Sequence, residues 1–288
     1  MEGSDFDALF EAGKSRAISD WLYGINATRL YTLKFGKNKQ VLSVGRVQTP
    51  TLAMIVKRHF DIKNFVPNLY FEIKTEYKST TFTFEKGKIE KKIEAEQVLE
   101  KIKKESLSIT EISVKAGKEH PPNLFDLTSL QVEGNKKLGL SAEQTLNTVQ
   151  SLYEKKLVSY PRVDTVYLPK DQYPKIKGIL KGLVIYQELT EHLIQKPIKK
   201  SKKVFNDNKV TDHHAIIPTG INASNISGNE AAVYDIISRR FIAAFYPECK
   251  VSNTTVNAEV CKLKFKATGK QILDQGWRVV YQSQQSSS

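Results

Sequence analysis

The sequence has few cysteines, no long apolar stretch and a deficit of acidic side chains. Among its 288 residues only Cys249 and Cys261 are cysteines, which argues against a disulfide framework or a four-cysteine zinc site and suits a reducing compartment. No apolar run approaches the ~18 residues that a membrane-crossing helix needs. The opening MEGSDFDALFEAGKS is acidic and polar, unlike a secretion signal. These absences lead to the expectation of a cytoplasmic chain. The acidic deficit, 31 Asp and Glu against 44 Lys and Arg, leaves a net charge of +13. Such an imbalance favours a polyanionic partner, nucleic acid first and an acidic membrane second, and charge alone does not choose between them.

The apolar pattern predicts a mixed chain. From Asp7 to about Arg29, Leu9, Ala12, Ala17, Trp21, Leu22 and Ile25 recur at helical intervals, with the helix ending near Gly24 and Asn26. In VLSVGRVQTPTLAMIVKRHF a glycine-containing loop feeds a helix starting near Thr49, with Arg46 and Gln48 at its mouth. Beyond Pro67 the texture becomes alternating, as in half-buried strands: LYFEIKTEY, TTFTFEKGKI and, after a short charged helix, SLSITEISVKAGKEH. From Pro121 helical periodicity returns. One helix stops at Gly139, and Ser141 with Gln144 forms a capping-box signature for a second, in which Ala142, Leu146, Val149 and Tyr153 share a face. Helix, tight turn, helix and then a strand resembles a winged helix-turn-helix. KPIKKSKKVFNDNKV reads as a solvated basic connector, NEAAVYDIISRRFIAAF as a helix, and VSNTTVNAEVCKLKFKATGK with GWRVVY as a closing β tract. The β tracts flanking the helical block have the same texture and are expected to share one sheet. The terminal QSQQSSS reads as a disordered tail.

The chemistry concentrates in LVSYPRVDTVYLP. On a strand, Tyr160, Arg162 and Asp164 would point to one face. A tyrosine phenol titrates at about 10, so as a nucleophile it needs a cation favouring the phenolate or a group that takes its proton. Arg162 can do the first and can also hold a phosphate through paired hydrogen bonds. A histidine from DHHAII can donate to a phosphate oxygen or serve a leaving group. Together these permit transfer of a phosphodiester onto tyrosine. The same residues also permit a tyrosine that merely packs, a surface Arg46 and a histidine pair in a plain loop; no third metal ligand stands near the pair at metal spacing.

Six motifs, RAISDWLYGINATR, LSVGRVQTPTLAMIV, PPNLFDLTSLQVEGNKKLGLSAEQTL, YPRVDT, DHHAIIPTG and GWRVVY, occur in the order found in type IA DNA topoisomerases. Over nearly its whole length the chain resembles the gate region of that family, closest to the bacterial topoisomerase III branch. The resemblance implies an α+β, multi-domain fold. Residues 1–66 would be part of a helical base, 67–120 the first part of a β-rich arch, 121–247 an inserted winged-helix-like helical domain carrying the tyrosine, and 248–288 the return of the arch and a tail.

The resemblance also implies roles. Tyr160 matches the nucleophile that becomes joined to a 5′-phosphate, Arg162 the arginine beside it, and His213 the histidine supporting the scissile phosphate. Arg46 and Gln48 match positions lining the single-strand path, Arg16 with Asp20 matches the preceding motif, and Asp164 matches the acidic position of the tyrosine motif. Val163 departs from the small hydroxyl residue usual there. No counterpart of the family's Toprim domain is recognised, so the expected partners are single-stranded DNA and the Toprim part of the same protein, with no membrane and a monomeric state. The expected cofactor is Mg2+ held by Toprim, none being held by this chain. The piece alone is expected to bind single-stranded DNA but to cleave poorly; the alternatives are a non-enzymatic DNA-binding module and an RNA role.

Overall fold

A computed structural model describes residues 3–37 and 40–284, and the chain divides into two compact units, Met1–Phe71 and Glu72–Ser288. Residues 285–288 of the expected tail lie outside the described part.

The first unit is helical. In α1 (Asp7–Phe35) Asp7 occupies the first turn, where a carboxylate meets the positive end of the helix dipole. The helix does not end near Gly24 and Asn26 but runs on to Phe35. One interior glycine costs only ~1 kcal/mol, and the Asn26 amide donates to the Leu22 carbonyl at 2.7 Å without interrupting the helix. The segment preceding α2 (Gln48–Lys63) is tied to α1 by two threonine hydroxyls: Thr28 accepts from the N–H of Val44 at 2.9 Å and Thr32 from that of Leu42 at 3.0 Å. Pro50 sits in the first turn of α2, where its missing N–H leaves no helical bond unmade. Neither helix has a buried residue.

The second unit joins a sheet to a helical block. β1 (Lys74–Tyr77) and β2 (Thr80–Phe84) form a hairpin. After α3 (Lys92–Ile102) comes β3 (Ser108–Glu119), and beyond the helical block β4 (Cys249–Val260) and β5 (Leu263–Asp274). The sheet is antiparallel throughout, in the order β1-β2-β5-β4-β3. Strands from both sides of the helical block thus pair: Phe84 opposite Phe265, and Ser113 opposite Thr255. Phe82, Phe84, Ile89, Ala95, Ala258 and Phe265 are buried, each large side chain stabilising by about 1.5–3 kcal/mol. β3 has no buried residue. Both two-residue hairpin turns use left-handed backbone at residues other than glycine, Lys78-Ser79 (φ 46° and 62°) and Cys261-Lys262 (φ 51° and 64°). This is the geometry that matches strand twist, usually supplied by Asn-Gly.

The helical block comprises α4 (Leu127–Leu138), α5 (Ala142–Glu154), α6 (Ile176–Gly182), α7 (Gln187–Gln195) and α8 (Gly228–Ala243). Asp126 and Ser129 cap α4 reciprocally, and Ser141 and Gln144 cap α5 in the same way. Between them Gly139 takes φ 69° and donates to Asn135 O at 2.9 Å, closing α4. The buried residues of α5 are Thr145, Val149 and Leu152. The face expected from Ala142, Leu146, Val149 and Tyr153 is therefore rotated: Ala142 is exposed and Tyr153 stands at the edge. Phe125, Leu130, Leu168, Ile176, Ile216, Ile237 and Phe241 belong to the same core. α6 ends in close contact with the loop after residue 215, since a Cβ on Gly182 would lie 1.9 Å from Gly220 O.

Two further expectations are corrected. GWRVVY lies in a 3-10 helix, Gly276–Gln284, not in a strand; Trp277 Nε1 donates to Glu119 O at 3.0 Å and Val280 is fully buried, which a flat edge strand would not achieve. The basic segment 196–210 is not a free connector. Ile198, Val204 and Phe205 are buried, and the backbone of Leu168 exchanges hydrogen bonds with Val204 and Asn206 at 2.8 and 2.9 Å. Its lysines remain outside while its apolar residues anchor it.

Candidate active site

Tyr160 does not lie on a regular strand. Only Val158 and Leu168 of this segment form bridges, opposite Pro218 and Phe205. Pro161 lacks an N–H, and the Val163 N–H turns back to the Pro161 carbonyl at 3.0 Å, so the strict alternation expected from Tyr160 to Asp164 fails at its first member. Past the proline, alternation resumes: Pro161, Val163 and Thr165 are buried while Arg162 and Asp164 are exposed. Tyr160 is half-buried, its ring against the core.

The neighbouring backbone is firmly held. Ser159 donates its hydroxyl to Ala215 O at 3.0 Å and accepts from the Ile217 N–H at 2.9 Å, while its own N–H reaches Ile217 O at 2.9 Å. On the other side Leu127 N–H reaches Val163 O at 3.0 Å, and Thr165 Oγ1 donates to Lys209 O at 2.5 Å. Val163, the departure from the family pattern, points inward with 8% exposure. Ser159 therefore links the tyrosine segment to the DHHAII segment, far away in sequence.

That linkage puts His213 beside Tyr160, with ring centroids 4.4 Å apart and planes tilted by 39°. The Tyr153 ring of α5 also meets Tyr160 edge-on, with centroids 5.5 Å apart. Among the described residues the Tyr160 hydroxyl has no hydrogen-bond partner, and Arg162 and Asp164 form no ion pair. A cavity of about 410 Å³ lies against Tyr160, lined by His213, His214, Asp207, Asp212 and Thr211. His214 Nδ1 lies 2.8 Å from Ala215 O; because a carbonyl only accepts, this nitrogen carries the proton, leaving Nε2 as the acceptor of the neutral ring. Asp207 is held by the backbone and side-chain nitrogens of Lys170 at 2.7 and 2.8 Å. The Lys170 contacts hold its carboxyl below the ordinary carboxylate range.

Tyr160 and His213 are brought together, whereas Arg162 and Asp164 lie beside them on the exposed side of the segment and do not line the cavity. Arg16, Arg46 and Gln48 belong to the first unit. There Arg16 is exposed, Arg46 Nε is paired with Asp20 at 2.8 Å, and Gln48 Nε2 donates to Ser43 Oγ at 3.0 Å. Asp207, Asp212 and the ring contact of Tyr153 were missed in the sequence. Asp212 adjoins the histidine pair, a usable signal, but nothing in the pattern brings Asp207 from a basic loop to Tyr160. Among the described residues no three His, Cys, Asp or Glu side chains gather as a metal site. These residues do not fit the magnesium that the family implies. Among the described residues no helix is long and apolar enough to cross a membrane.

A family model described as DNA topoisomerase matches residues 4–288. DNA topoisomerase 3 of Bacillus licheniformis is 40% identical over 289 residues, covering 97% of this chain and 39% of that protein. DNA topoisomerase 3 of Bacillus subtilis gives the same identity and the same coverage. The chain thus spans about two fifths of the length of the curated relatives it matches (39%). Full-length topoisomerase I from Thermotoga maritima shares the fold, with a TM-score of 0.69 at 24% identity over 94% of this chain and 45% of that one. With an α+β fold, a family match over nearly every residue and relatives at 40% identity, the chain belongs to the type IA DNA topoisomerases, on the topoisomerase III branch.

Proposed function

We propose that this chain carries the cleavage tyrosine of a topoisomerase that changes DNA linkage by opening one strand. The Tyr160 oxygen attacks a backbone phosphorus as its proton leaves to water, the bond to the 3′ oxygen breaks with that oxygen taking up a proton, and a 5′-phosphotyrosine ester forms. After another strand passes, the freed 3′ hydroxyl attacks the ester and Tyr160 leaves. Arg162 neutralises charge growing on the phosphate oxygens, and His213 donates a hydrogen bond to one of them. Asp164, Arg16, Arg46 and Gln48 serve the path of the single strand. The observation carrying this reading is the contact of Tyr160 with His213 at the edge of a cavity, with the phenol oxygen free of any described partner.

By itself the chain binds single-stranded DNA through its backbone, weakly and with strong salt dependence, as a monomer in the cytoplasm. It cleaves slowly, because a departing 3′ oxygen needs a proton and the phosphate more positive charge than Arg162 supplies. The partner supplying both would be the Toprim part of the family, with its magnesium. A DNA-binding module in which Tyr160 only packs is favoured by its contact with the core. End-labelled single-stranded DNA mixed with the chain, with and without a separately supplied Toprim domain and magnesium, separates the two. An SDS-stable adduct that Tyr160→Phe abolishes supports cleavage. Binding without an adduct in any mixture supports the module.

A further inference from the structure

Where the sheet meets the helical block, a second cavity of about 510 Å³ opens, a size typical of small-molecule sites. It is lined by Lys137 of α4, Arg240 of α8, Ile272 near the end of β5, and Trp277, Arg278 and Tyr281 of the closing 3-10 helix. Its polar side is short of acceptors. Arg240 Nε and Arg278 Nε are shielded from solvent and make no hydrogen bond among the described residues, and the Tyr281 hydroxyl, beside Arg240, is shielded as well. Two carboxylates serve four cations: Glu133 lies 3.0 Å from Lys137 and 3.5 Å from Arg240, whose Nη1 also donates to Asn123 O at 3.2 Å, while Glu119 pairs with Arg278 and is shared with Lys270. Buried donors without acceptors are uncommon in folded proteins, and donors on guanidinium groups suit phosphate oxygens above all.

The other side is aromatic and apolar. The Trp277 and Tyr281 rings stand nearly perpendicular, with centroids 6.0 Å apart, and Ile272 lies beside them in the wall. Phosphate alone would leave this wall bare, and a neutral ring alone would leave the donors unpaired. We propose that the cavity binds a nucleotide, its phosphate on Arg240, Arg278 and the Tyr281 hydroxyl and its base against Trp277 and Ile272. The nucleotide comes either free from solution or as a unit of a bound strand. Because the walls belong to both the sheet and the helical block, an occupant fixes the angle between them.

The test uses the 288-residue chain with Trp21→Phe, which leaves Trp277 as its one tryptophan. Its fluorescence is titrated with deoxyadenosine 5′-monophosphate, deoxyadenosine, inorganic phosphate and a short oligothymidylate. Saturable quenching by the mononucleotide, about tenfold tighter than by nucleoside or phosphate and lost in Ile272→Glu, supports the site with a free nucleotide as ligand. Quenching by the oligonucleotide alone, again lost in Ile272→Glu, supports it with the strand as source. Ile272 is 40% exposed, so this variant keeps its fold, which circular dichroism checks; Lys137→Gln serves as a milder second variant, weakening binding about threefold to tenfold. No saturable quenching, or quenching that neither variant weakens, overturns the proposal. Equal affinity for nucleoside and nucleotide also overturns it. Tyr160→Phe leaves the titration unchanged, so failure of the tyrosine chemistry and failure of this site are read separately.

Discussion

The rings of Tyr160 and His213 touch face to tilted face, 4.4 Å between centroids, although 52 positions separate them in the sequence. The contact brings an imidazole to the hydroxyl-bearing ring without using the hydroxyl itself. His213→Ala is expected to slow adduct formation in the reconstituted mixture by about 10²-fold, the lower range for a positioned acid or base. His213 is exposed, so the thermal midpoint stays unchanged. A normal adduct rate in this variant would remove His213 from the chemistry.

Arg162 is exposed and forms no ion pair among the described residues, so its replacement tests phosphate binding with little structural cost. Arg162→Ala is expected to lower the slope of log affinity against log salt by about 0.7, the single-strand value for one phosphate contact. Arg162→Lys should restore the slope but not the adduct rate, because the ammonium lacks the planar fork. Fluorescence anisotropy over a salt series measures the first, and gel-resolved adduct the second.

The two hairpin turns hold Ser79 and Lys262 in left-handed backbone, and both side chains are exposed. Ser79→Gly and Lys262→Gly should each stabilise the chain by about 0.5–1 kcal/mol, since glycine takes this conformation without a Cβ clash. Urea unfolding reads the change. Destabilisation by either would mean that the side chain carries a contact worth more than the strain.

Gly182 meets the backbone of Gly220 so closely that a Cβ would lie 1.9 Å from its carbonyl oxygen. Gly182→Ala must push α6 away from the loop that follows the histidine segment. A loss of about 1–3 kcal/mol is expected, as for other overpacked contacts, measured by the shift in urea midpoint. An unchanged midpoint would show that this loop yields freely.

Glu230 of α8 accepts from Lys155 Nζ at 2.6 Å and from Ser151 Oγ at 2.7 Å, joining α8 to α5. The Lys155 and Ser151 hydrogen bonds hold its carboxyl below the ordinary glutamate value. A carboxylate lowered on folding stabilises fully above its unfolded pKa of about 4.3, and this stabilisation is lost as pH falls through the folded value. Glu230→Gln should therefore lose about 1 kcal/mol or less at neutral pH and flatten the acid limb of the stability curve. Unfolding midpoints from neutral to acid pH test this, and a limb unchanged by the substitution would assign the acid loss elsewhere.

The sequence alone determined what is local. Ser141 with Gln144 and Gly139 marked the helix-turn-helix, because caps and left-handed turns are made by residues within one turn of each other. Alternating texture marked the strands of the sheet, and the ordered motifs marked the family. Tertiary structure decided what depends on partners distant in the chain. The helical spacing of Ala142, Leu146, Val149 and Tyr153 gave a face, but packing in the block put Thr145, Val149 and Leu152 inside instead and left Tyr153 beside Tyr160. GWRVVY had strand-like residues, yet the bond from Trp277 to Glu119 and the burial of Val280 hold it in a 3-10 helix. Asp207 reached the cavity only because Val204 and Phe205 pin a basic loop to Leu168. Hydrogen-bond capping and side-chain period act between near neighbours and are written in order along the chain. Burial and the meeting of Tyr160 with His213 arise only when the backbone has closed on itself.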